Sequence, residues 1–577
     1  MPHSGPPLGF QVLIFCGPGV SLNTFTSIPE EFPKALVPIA NRPMVWYPLD
    51  WCYRMGITNI TLITPQASKA ALEASLSQNP HLTSLPPPSP TVISPEGLTL
   101  TTGTAELLRL PEVQTCIKSD FIVLPCDLVC DVPGVTFLEA WMTAHGAVDA
   151  SWDGEWLESR TSSLVGVGGE RCGRRGGISV WYPTAPDGAK TKNEVPDFLA
   201  ITSLDKDEAP AVRGGNNGSL SLVKLVYTMP MDSLKDVMEE HQALLMRHSL
   251  LKRHGKIKIL STYRDAHIYI FPYWVKEMAM LNEKFESISE DLVGWWAKAE
   301  WQNGLGEKLG LREILNPERD HGNKYSNKRD QVEEDIDLMA MSTTKSTRWL
   351  DINPNGTMSR SKPGPLTRSN TLQETDVPPP SDKLIVPPVL AYIHSSKPSE
   401  PEIRRVDTPS LLLSTSLRLA KLEAISDAGE SASPLAHQNK IAHPAGIAQR
   451  CTVTKADCLV AENVTVEEKA VIKESVVGAN CHIASGVRLT RCVLMDGVVV
   501  SERSQLTDCI IGRRSRIGRG CVLKDCEVQN GNVVPDETDA KNEQFMIFEG
   551  LDEDMANVSD GGQDDAEGIG MDDEFKV

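Results

Sequence analysis

The chain has 577 residues, enough for two or three folded domains, and a formal net charge of −20 at pH 7. Its 13 cysteines are odd in number and scattered through apolar runs, which argues against a disulfide framework. This pattern predicts reduced thiols and a location in the cytoplasm, in the cytosol. No apolar run approaches the roughly 18 residues of a membrane span, and the N-terminus lacks the basic region of a signal peptide. Nucleic-acid binding would require a clustered basic face, and we expect none.

Alternating strand and helix signals begin near residue 10. FQVLIFCG reads as an apolar strand, PMVWYPLDWCYRMG as a helix, ITNITLIT as a strand, QASKAALEASLSQ as a helix and DFIVLPCD as a strand that ends at an acid. Repeated strand, helix, strand units predict an α/β domain over residues 10–317 with a mostly parallel sheet. Ligands bind beyond the carboxyl ends of such strands, so the loop from Cys16 to Leu22 and Asp127 mark a candidate site.

Composition changes sharply after this domain. Residues 318–383 are rich in Ser, Thr, Pro and charge without apolar periodicity, which predicts a disordered insert. Order returns in residues 384–423 with a strand at VPPVLAYIH and a helix at DTPSLLLSTSLRLAKLE, which Asp407 or Thr408 can cap. Residues 424–445 form a second, shorter linker.

Residues 446–535 carry a repeat of seventeen positions, with internal steps of six, six and five. Three aliphatic columns follow this period: Val460, Val477, Leu494, Ile511 and Val528; Val466, Ile483, Val500, Ile517 and Val534; Ile472, Leu489, Leu506 and Leu523. Fixed short periods indicate solenoids, because one coil cannot bury its apolar face alone. Three short faces per turn predict a triangular prism, the left-handed parallel β-helix of hexapeptide repeats.

A further column at the same period holds Ser475, Cys492, Cys509 and Cys526. Stacked coils lie about 4.8 Å apart, so these side chains are expected to pack one above another. A zinc site would instead bring four ligands to one point from closely spaced pairs. Packing is therefore the favoured interpretation.

The last residues, 536–577, are strongly acidic, with 15 Asp and Glu against 2 Lys. Such a segment cannot bury enough apolar surface to fold alone and is predicted to be a disordered tail. Either it is simply solvated or it docks on a basic partner.

Four motifs in the α/β region make the chain resemble the sugar-nucleotide pyrophosphorylases, a nucleotidyltransferase family that often carries a hexapeptide-repeat β-helix. They are FCGPGVSL, EEFPKALVPIANRPM, VLPCD and DAHIYIF. The resemblance implies that a glycine loop cradles the nucleotide phosphates, that a loop arginine and a lysine neutralise phosphate charge, and that two aspartates hold Mg²⁺.

The positions that match these roles are Gly17, Gly19, Ser21, Lys34, Asp127 and Asp265. Ser21 stands where the family has its arginine, and a missing cationic donor removes roughly 3 kcal/mol of transition-state stabilisation. Cys16 stands where the family has a glycine, which would strain a loop that needs positive φ. We therefore expect a remnant site without catalysis, metal or cofactor, with Gly17 and Gly19 kept for a tight turn.

Each retained charged residue also has a purely structural interpretation. Lys34 could be a surface cation, Asp127 could cap a following helix and Asp265 could end a turn. The opposite hypothesis is an active sugar-1-phosphate nucleotidyltransferase, similar to enzymes that form GDP-mannose. A pyrophosphorolysis assay distinguishes the two.

Two longer segments, ALVPIANRPMVWYPLDWCYRMGI and IRRVDTPSLLLSTSLRLAKLE, are similar to the pyrophosphorylase-like subunits of eukaryotic translation initiation factor 2B. That resemblance implies a part in guanine nucleotide exchange on initiation factor 2, pairing with the epsilon subunit and assembly with alpha, beta and delta subunits into a decamer. Epsilon carries an additional helical-repeat domain that performs exchange. Here only the acidic segment follows the repeats, so the other subunit type is expected.

Four arginines cluster in IIGRRSRIGRG of the predicted solenoid: Arg513, Arg514, Arg516 and Arg519. They form either an ordinary solvated face or a docking patch for a partner, since arginine pairs with carboxylates in a bidentate manner and is enriched at interfaces.

Overall fold

The computed structural model describes residues 9–18, 20–99, 101–142, 176–184, 194–204, 222–244, 246–315, 384–395, 401–429 and 432–547. The predicted insert at 318–383, most of the predicted acidic tail and Gly19 lie outside these residues. No helix in the described ranges is long and apolar enough to cross a membrane.

The N-terminal domain is built on a nine-stranded sheet with two small accessory sheets. The strands of this domain are β1 (Gln11–Phe15), β2 (Pro38–Ile39), β3 (Arg42–Pro43), β4 (Ile60–Ile63), β5 (Thr91–Ile93), β6 (Phe121–Pro125), β7 (Leu128–Cys130), β8 (Gly177–Pro183), β9 (Asp197–Thr202), β10 (Leu222–Pro230), β11 (Lys258–Phe271), β12 (Val389–Ile393) and β13 (Ile403–Arg405).

The main sheet has the order β5-β4-β1-β6-β11-β8-β12-β10-β9. The first four strands are mutually parallel, as the alternating signals predict. Beyond them, β11 is antiparallel to both neighbours and β10 to both of its own. The α/β class is confirmed, but the sheet is mixed rather than mostly parallel, because the long strands between residues 177 and 271 pair largely without the crossover helices that parallel pairing requires.

Helices pack on both faces of this sheet. They are α1 (Asn23–Thr26), α2 (Trp46–Arg54), α3 (Gln66–Gln78), α4 (Pro80–Thr83), α5 (Thr104–Arg109), α6 (Pro111–Cys116), α7 (described over 134–142), α8 (Met231–His241), α9 (His248–Arg253), α10 (Val275–Leu281), α11 (Gly294–Trp301), α12 (Leu305–Lys308), α13 (Leu311–Leu315), α14 (Pro409–Lys421) and α15 (Ile425–Ala428). Shorter turns are the 3₁₀ segments Val20–Leu22, Lys34–Leu36 and Pro444–Gly446 and the π segment Ile288–Val293.

Two apolar cores cover the two faces of the sheet. Val12 and Ile14 of β1 lie in one core, and Leu13 and Phe15 lie in the other. This alternation is what a strand buried on both faces requires.

The chain returns to the domain through β12 and α14. Thr408 caps α14, its hydroxyl accepting from the Leu411 amide at 3.4 Å. The segment after α14 packs on the domain, because the Arg42 guanidinium donates to the carbonyls of Leu435 at 2.9 Å and Ala436 at 2.8 Å. Both of these residues are buried.

The C-terminal domain is a parallel β-helix of three sheets. Its strands are β14 (Thr452–Val453), β15 (Leu459–Val460), β16 (Thr465–Val466), β17 (Val471–Lys473), β18 (Val476–Val477), β19 (His482–Ile483), β20 (Arg488–Thr490), β21 (Val493–Leu494), β22 (Val499–Val500), β23 (Gln505–Thr507), β24 (Ile510–Ile511), β25 (Arg516–Ile517), β26 (Val522–Lys524), β27 (Glu527–Val528), β28 (Val533–Val534), β29 (Asp539–Lys541) and β30 (Gln544–Phe545).

Every paired strand in this domain is parallel to the strand one repeat later, as in the pairings Val477↔Leu494 and Ile483↔Val500. The three predicted columns are buried and form one core. The predicted parallel β-helix is therefore confirmed. Its cysteine column is packed in that core, with the thiols of Cys492, Cys509 and Cys526 each donating to the backbone carbonyl two residues earlier.

The solenoid is longer than the sequence predicts. β29 and β30 continue two of the sheets past residue 535, where the acidic tail was expected to begin. The repeat is hard to detect there because Ala540 takes the inward position where earlier coils have leucine or isoleucine. Residues 536–547 are thus the final coil, and the remainder of the predicted tail lies outside the described residues.

Candidate functional site

Some of the predicted site residues lie where β1 and β6 end. Cys16 and Gly17 follow β1, Asp127 follows the neighbouring β6, and Lys34 reaches Asp127 from its 3₁₀ turn. Ser21 lies in the exposed turn Val20–Leu22.

The first two residues of the loop after β1, Cys16 and Gly17, are not strained. Gly17 does not have a positive φ, and a Cβ there would have no heavy atom within 4 Å, so the turn does not require glycine at this position. Cys16 likewise has no positive φ. Its side chain is buried in the apolar core, so it contributes to packing instead of obstructing the loop.

Asp127 is the centre of a buried ion cluster. Its Oδ2 accepts from the Lys34 ammonium at 2.7 Å and from Nη2 of Arg405 at 3.3 Å, while its Oδ1 accepts from Nε of Arg405 at 3.2 Å. The Asp127 side chain is only 1% exposed. Both carboxylate oxygens are therefore occupied by cations of the chain itself.

Electrostatics fix this cluster in its charged form. Burial by itself would raise the pKa of Asp127, but Arg405 and Lys34 outweigh that effect and hold the pKa far below its usual range. Burial would lower the pKa of Lys34, yet attraction to Asp127 leaves it raised. Asp127 is thus ionised and neutralised at any physiological pH.

Arg405 was not among the residues predicted from the sequence. It ends β13, which pairs antiparallel with β7, so the strand after Asp127 brings Arg405 back onto that carboxylate. Asp407 then lies 3.6 Å from Arg405 and forms a bidentate pair with Arg264, at 2.6 and 3.2 Å. In the sequence, Arg405 is marked only by the motif IRRVD before α14. Its partner, Asp127, is 278 residues distant in the chain.

Asp265 has a different environment. Its Oδ1 accepts from the His267 amide at 2.8 Å, and its Oδ2 accepts a short hydrogen bond from the Tyr269 hydroxyl. The pKa of Asp265 is raised to about 7, chiefly by burial and also by repulsion from the nearby Asp197. The hydrogen bonds from Tyr269 and His267 lower it, but by less than burial raises it. About half of these side chains are therefore neutral near pH 7.

These two aspartates do not fit the Mg²⁺ that the family resemblance implies. Mg²⁺ needs ionised oxygen ligands in near-octahedral geometry with room for water. Asp127 has no free oxygen because of Lys34 and Arg405, and Asp265 is hydrogen-bonded through both oxygens and partly protonated. Within the described residues, no group of three or more His, Cys, Asp or Glu could hold a metal ion.

The β-helix holds the segment that follows the candidate loop. Asn530 donates to the Phe25 carbonyl at 2.6 Å, Gln529 donates to the Ser27 hydroxyl at 2.9 Å, and the Thr24 hydroxyl donates to Glu527 at 3.1 Å. The last coils thus anchor α1 and the residues after it, so the two domains pack directly together.

The arginine cluster is divided between two environments. Arg513 is half-buried, with its guanidinium 4.6 Å from the centre of the Phe32 ring in the N-terminal domain. Arg514, Arg516 and Arg519 are exposed. Arg513 is therefore part of the contact between the two domains, which the sequence interpretation did not foresee.

Comparisons with known proteins agree with this architecture. Residues 454–550 match the family described as the GMPPB C-terminal domain. The protein named translation initiation factor eIF2B subunit gamma from Schizosaccharomyces pombe is 26% identical over 311 residues, 54% of this chain and 56% of that protein. Its namesake from Caenorhabditis elegans is 22% identical over 283 residues, 49% and 56% of the two chains. The chain thus matches a little over half the length of these curated relatives.

In the fold, an α/β domain precedes a β-helix, and the β-helix is similar to the GMPPB C-terminal domain. The curated proteins to which the chain is similar over about half of its length are gamma subunits of the translation initiation factor eIF2B.

Proposed function

We propose that this chain is a non-catalytic gamma subunit of the translation initiation factor 2B complex, the guanine nucleotide exchange factor that regenerates GTP-bound initiation factor 2. Its partners would be the epsilon subunit, the alpha, beta and delta subunits of a decamer, and initiation factor 2 as substrate. It would act in the cytosol. The similarity to two gamma subunits supports this assignment.

The observation that carries the non-catalytic part of the proposal is the internal neutralisation of Asp127. A nucleotidyltransferase needs free cations for the phosphates and free carboxylates for Mg²⁺. Here Lys34, Arg405 and Asp127 satisfy one another. Ser21 supplies no positive charge at the loop position of the family arginine. The domain is then retained as a scaffold that presents surfaces to partners.

One such surface is the exposed part of the arginine cluster. Arg514, Arg516 and Arg519 are exposed on the solenoid, and we propose that they dock against acidic groups of epsilon or of initiation factor 2. Changing all three to Glu would weaken that association, most strongly at low salt, while leaving the fold intact. A matched control is charge reversal at the exposed Lys118, Lys284 and Lys308 of the N-terminal domain.

The test of the proposed function is reconstitution. The chain is co-expressed with the epsilon subunit, the pair is isolated through a tag on epsilon, and release of labelled GDP from initiation factor 2 is measured with epsilon alone and with the pair. We expect stoichiometric co-purification and faster GDP release by the pair. Failure to co-purify, with no change in release, would contradict the proposal.

The alternative function is an active sugar-1-phosphate nucleotidyltransferase of the GDP-mannose type. The match of residues 454–550 to the GMPPB C-terminal domain favours it. It predicts Mg²⁺-dependent turnover of a nucleotide sugar by the purified chain, which the proposed scaffold does not perform.

A further inference from the structure

A strongly basic segment lies on an otherwise acidic molecule. Residues 247–258, RHSLLKRHGKIK, contain five Lys and Arg and no Asp or Glu. The segment comprises all of α9, the turn after it and the first residue of β11. The overall charge of −20 conceals a basic run this short.

Most cations of this basic segment are exposed to solvent. Four of them are exposed: Lys252, Arg253, Lys256 and Lys258. None of these four side chains forms an ion pair or hydrogen bond with another residue that the structure describes. On the preceding helix, Asp232 pairs instead with Lys235.

Exposed apolar side chains accompany this charge. Leu251 of α9 is 52% exposed, and Ile259, directly after the segment, is 47% exposed. Large aliphatic groups beside unpaired cations form a surface suited to an acidic peptide that also carries apolar side chains.

We propose that the C-terminal acidic segment of the same chain, residues 548–577, docks on this basic segment. Residues 548–577 contain eleven Asp and Glu against one Lys. Their last stretch, GIGMDDEFKV, interleaves those acids with Ile569, Met571 and Phe575. The acidic segment thus offers both kinds of group that the basic segment and its aliphatic neighbours would contact.

Tethering favours the chain's own segment over a separate acidic partner. Ion pairs between exposed groups are individually weak. A covalently attached ligand, however, acts at an effective concentration of about millimolar, so several weak pairs suffice. The segment follows Ile547, the last described residue, and its 30 residues could extend up to about 100 Å. This inference does not depend on the proposed function.

Photo-crosslinking in the full chain tests the proposal. A photoreactive phenylalanine analogue replaces Phe575, and the crosslinked peptides are identified by mass spectrometry. We expect the main product to join residue 575 to residues 246–260. A mixture of heavy-isotope-labelled and unlabelled chains should give crosslinks within one chain, and raising NaCl from about 50 to about 500 mM should reduce their yield at least fivefold through screening.

Charge reversal supplies the matched comparison. The variant Lys252→Glu, Arg253→Glu, Lys256→Glu, Lys258→Glu should lose the crosslink about tenfold, since several exposed ion pairs change sign together. The control variant Lys118→Glu, Lys284→Glu, Lys308→Glu, Lys455→Glu reverses four exposed cations elsewhere and should retain it.

Four outcomes would overturn the proposal. One is a crosslink that maps elsewhere or survives reversal of the basic segment. Another is a crosslink found only between labelled and unlabelled chains, which would make a second copy the partner. The third is a yield that falls equally in both charge-reversed variants, which would show an effect of net charge alone. The fourth is binding of a short RNA to the basic segment with no change in the crosslink yield, because the acidic segment and the RNA should compete for the same cations.

Discussion

At the scale of single residues, the role of a side chain depends on what the fold brings to it. Asp127 follows its strand where a metal-binding aspartate would be expected, yet its two oxygens accept from Lys34 and Arg405. Breaking a buried ion pair leaves an uncompensated charge, which is costly. The same contacts that exclude Mg²⁺ therefore contribute to holding β13 against the domain.

The change Arg405→Met tests this double role. Removing one of the two cations from a carboxylate that is 1% exposed should lower the free energy of unfolding by about 3 kcal/mol. The measurement is the urea midpoint at pH 7. Arg312→Met is the control, because its pair with Glu307 is exposed and should contribute less than about 1 kcal/mol. Equal midpoints for the two variants would show that the cluster is not stabilising.

Asp265 provides a prediction about pH. Burial raises its folded-state pKa to about 7, above an unfolded value of about 4, so the folded state binds the extra proton. The stability that this proton provides is complete below about pH 4 and is lost as pH rises through 7. Between pH 5 and 8, wild type should therefore lose about 2 kcal/mol relative to Asp265→Asn, whose amide cannot ionise.

Urea titrations of both proteins at these two pH values measure that difference. Stability of Asp265→Asn that tracks wild type between pH 5 and 8 would contradict the raised pKa.

At the scale of elements, the seventeen-residue repeat determines the C-terminal domain because side chains alternate strictly between inside and outside. Ile517 is buried in β25, whereas its neighbour Arg516 is exposed on the same strand. Each inward residue contacts the coils above and below it, so one polar substitution affects several coils.

The pair Ile517→Asp and Arg516→Asp tests that alternation. The first buries an unpaired carboxylate and should cost at least about 4 kcal/mol, while the second should change stability by less than about 1 kcal/mol. Thermal unfolding followed by circular dichroism, together with resistance of residues 460–534 to protease, reports both. Similar losses of stability for both variants would contradict the assignment of Ile517 to the inside and Arg516 to the outside of β25.

Patterns local in sequence predicted these elements well. Helix α3 was predicted over the residues it occupies, α14 has one of the two proposed caps, and the solenoid columns are its core. The antiparallel part of the main sheet was missed because some of its pairings join strands far apart in the chain, as in β6 with β11.

The chemistry of the candidate site could not be predicted from the sequence. The resemblance implied separate roles for Lys34, on phosphate, and Asp127, on Mg²⁺, whereas the two side chains form an ion pair with each other. Arg405 could not be found from the sequence because nothing local in IRRVD points to a carboxylate 278 residues away. Phe32 is likewise distant in the chain from the four clustered arginines. The sequence therefore could not show that Arg513 is the one that contacts Phe32.

At the scale of the whole molecule, the solenoid and the α/β domain form a joint core. Val476, Val493 and Ile510 on one face of the β-helix belong to the same apolar cluster as Leu417 of α14. Lys421 of that helix also pairs with Glu474 at 3.0 Å. Partners would therefore meet a composite surface rather than two independent domains.

Arg513 and Arg514 form a matched pair that tests this interface. Arg513→Glu loses the contact with Phe32 and gains repulsion from nearby Glu31, so it should destabilise the protein by about 1 to 2 kcal/mol. Arg514→Glu changes an exposed neighbour and should alter stability by less than about 0.5 kcal/mol. The urea midpoints of the two variants are compared. Equal midpoints would show that Arg513 does not contribute to the contact between the two domains.

The most direct test of the central claim is Mg²⁺-dependent pyrophosphorolysis by the unmodified full chain. Purified protein is incubated with pyrophosphate and each of several nucleotide sugars, including GDP-mannose, beside an active pyrophosphorylase, and nucleoside triphosphate is measured. Because Lys34 and Arg405 occupy both oxygens of Asp127 and Ser21 provides no cation, we predict no turnover above the enzyme-free rate, and none for Ser21→Arg either. Turnover of any nucleotide sugar by the unmodified chain would contradict the non-catalytic scaffold.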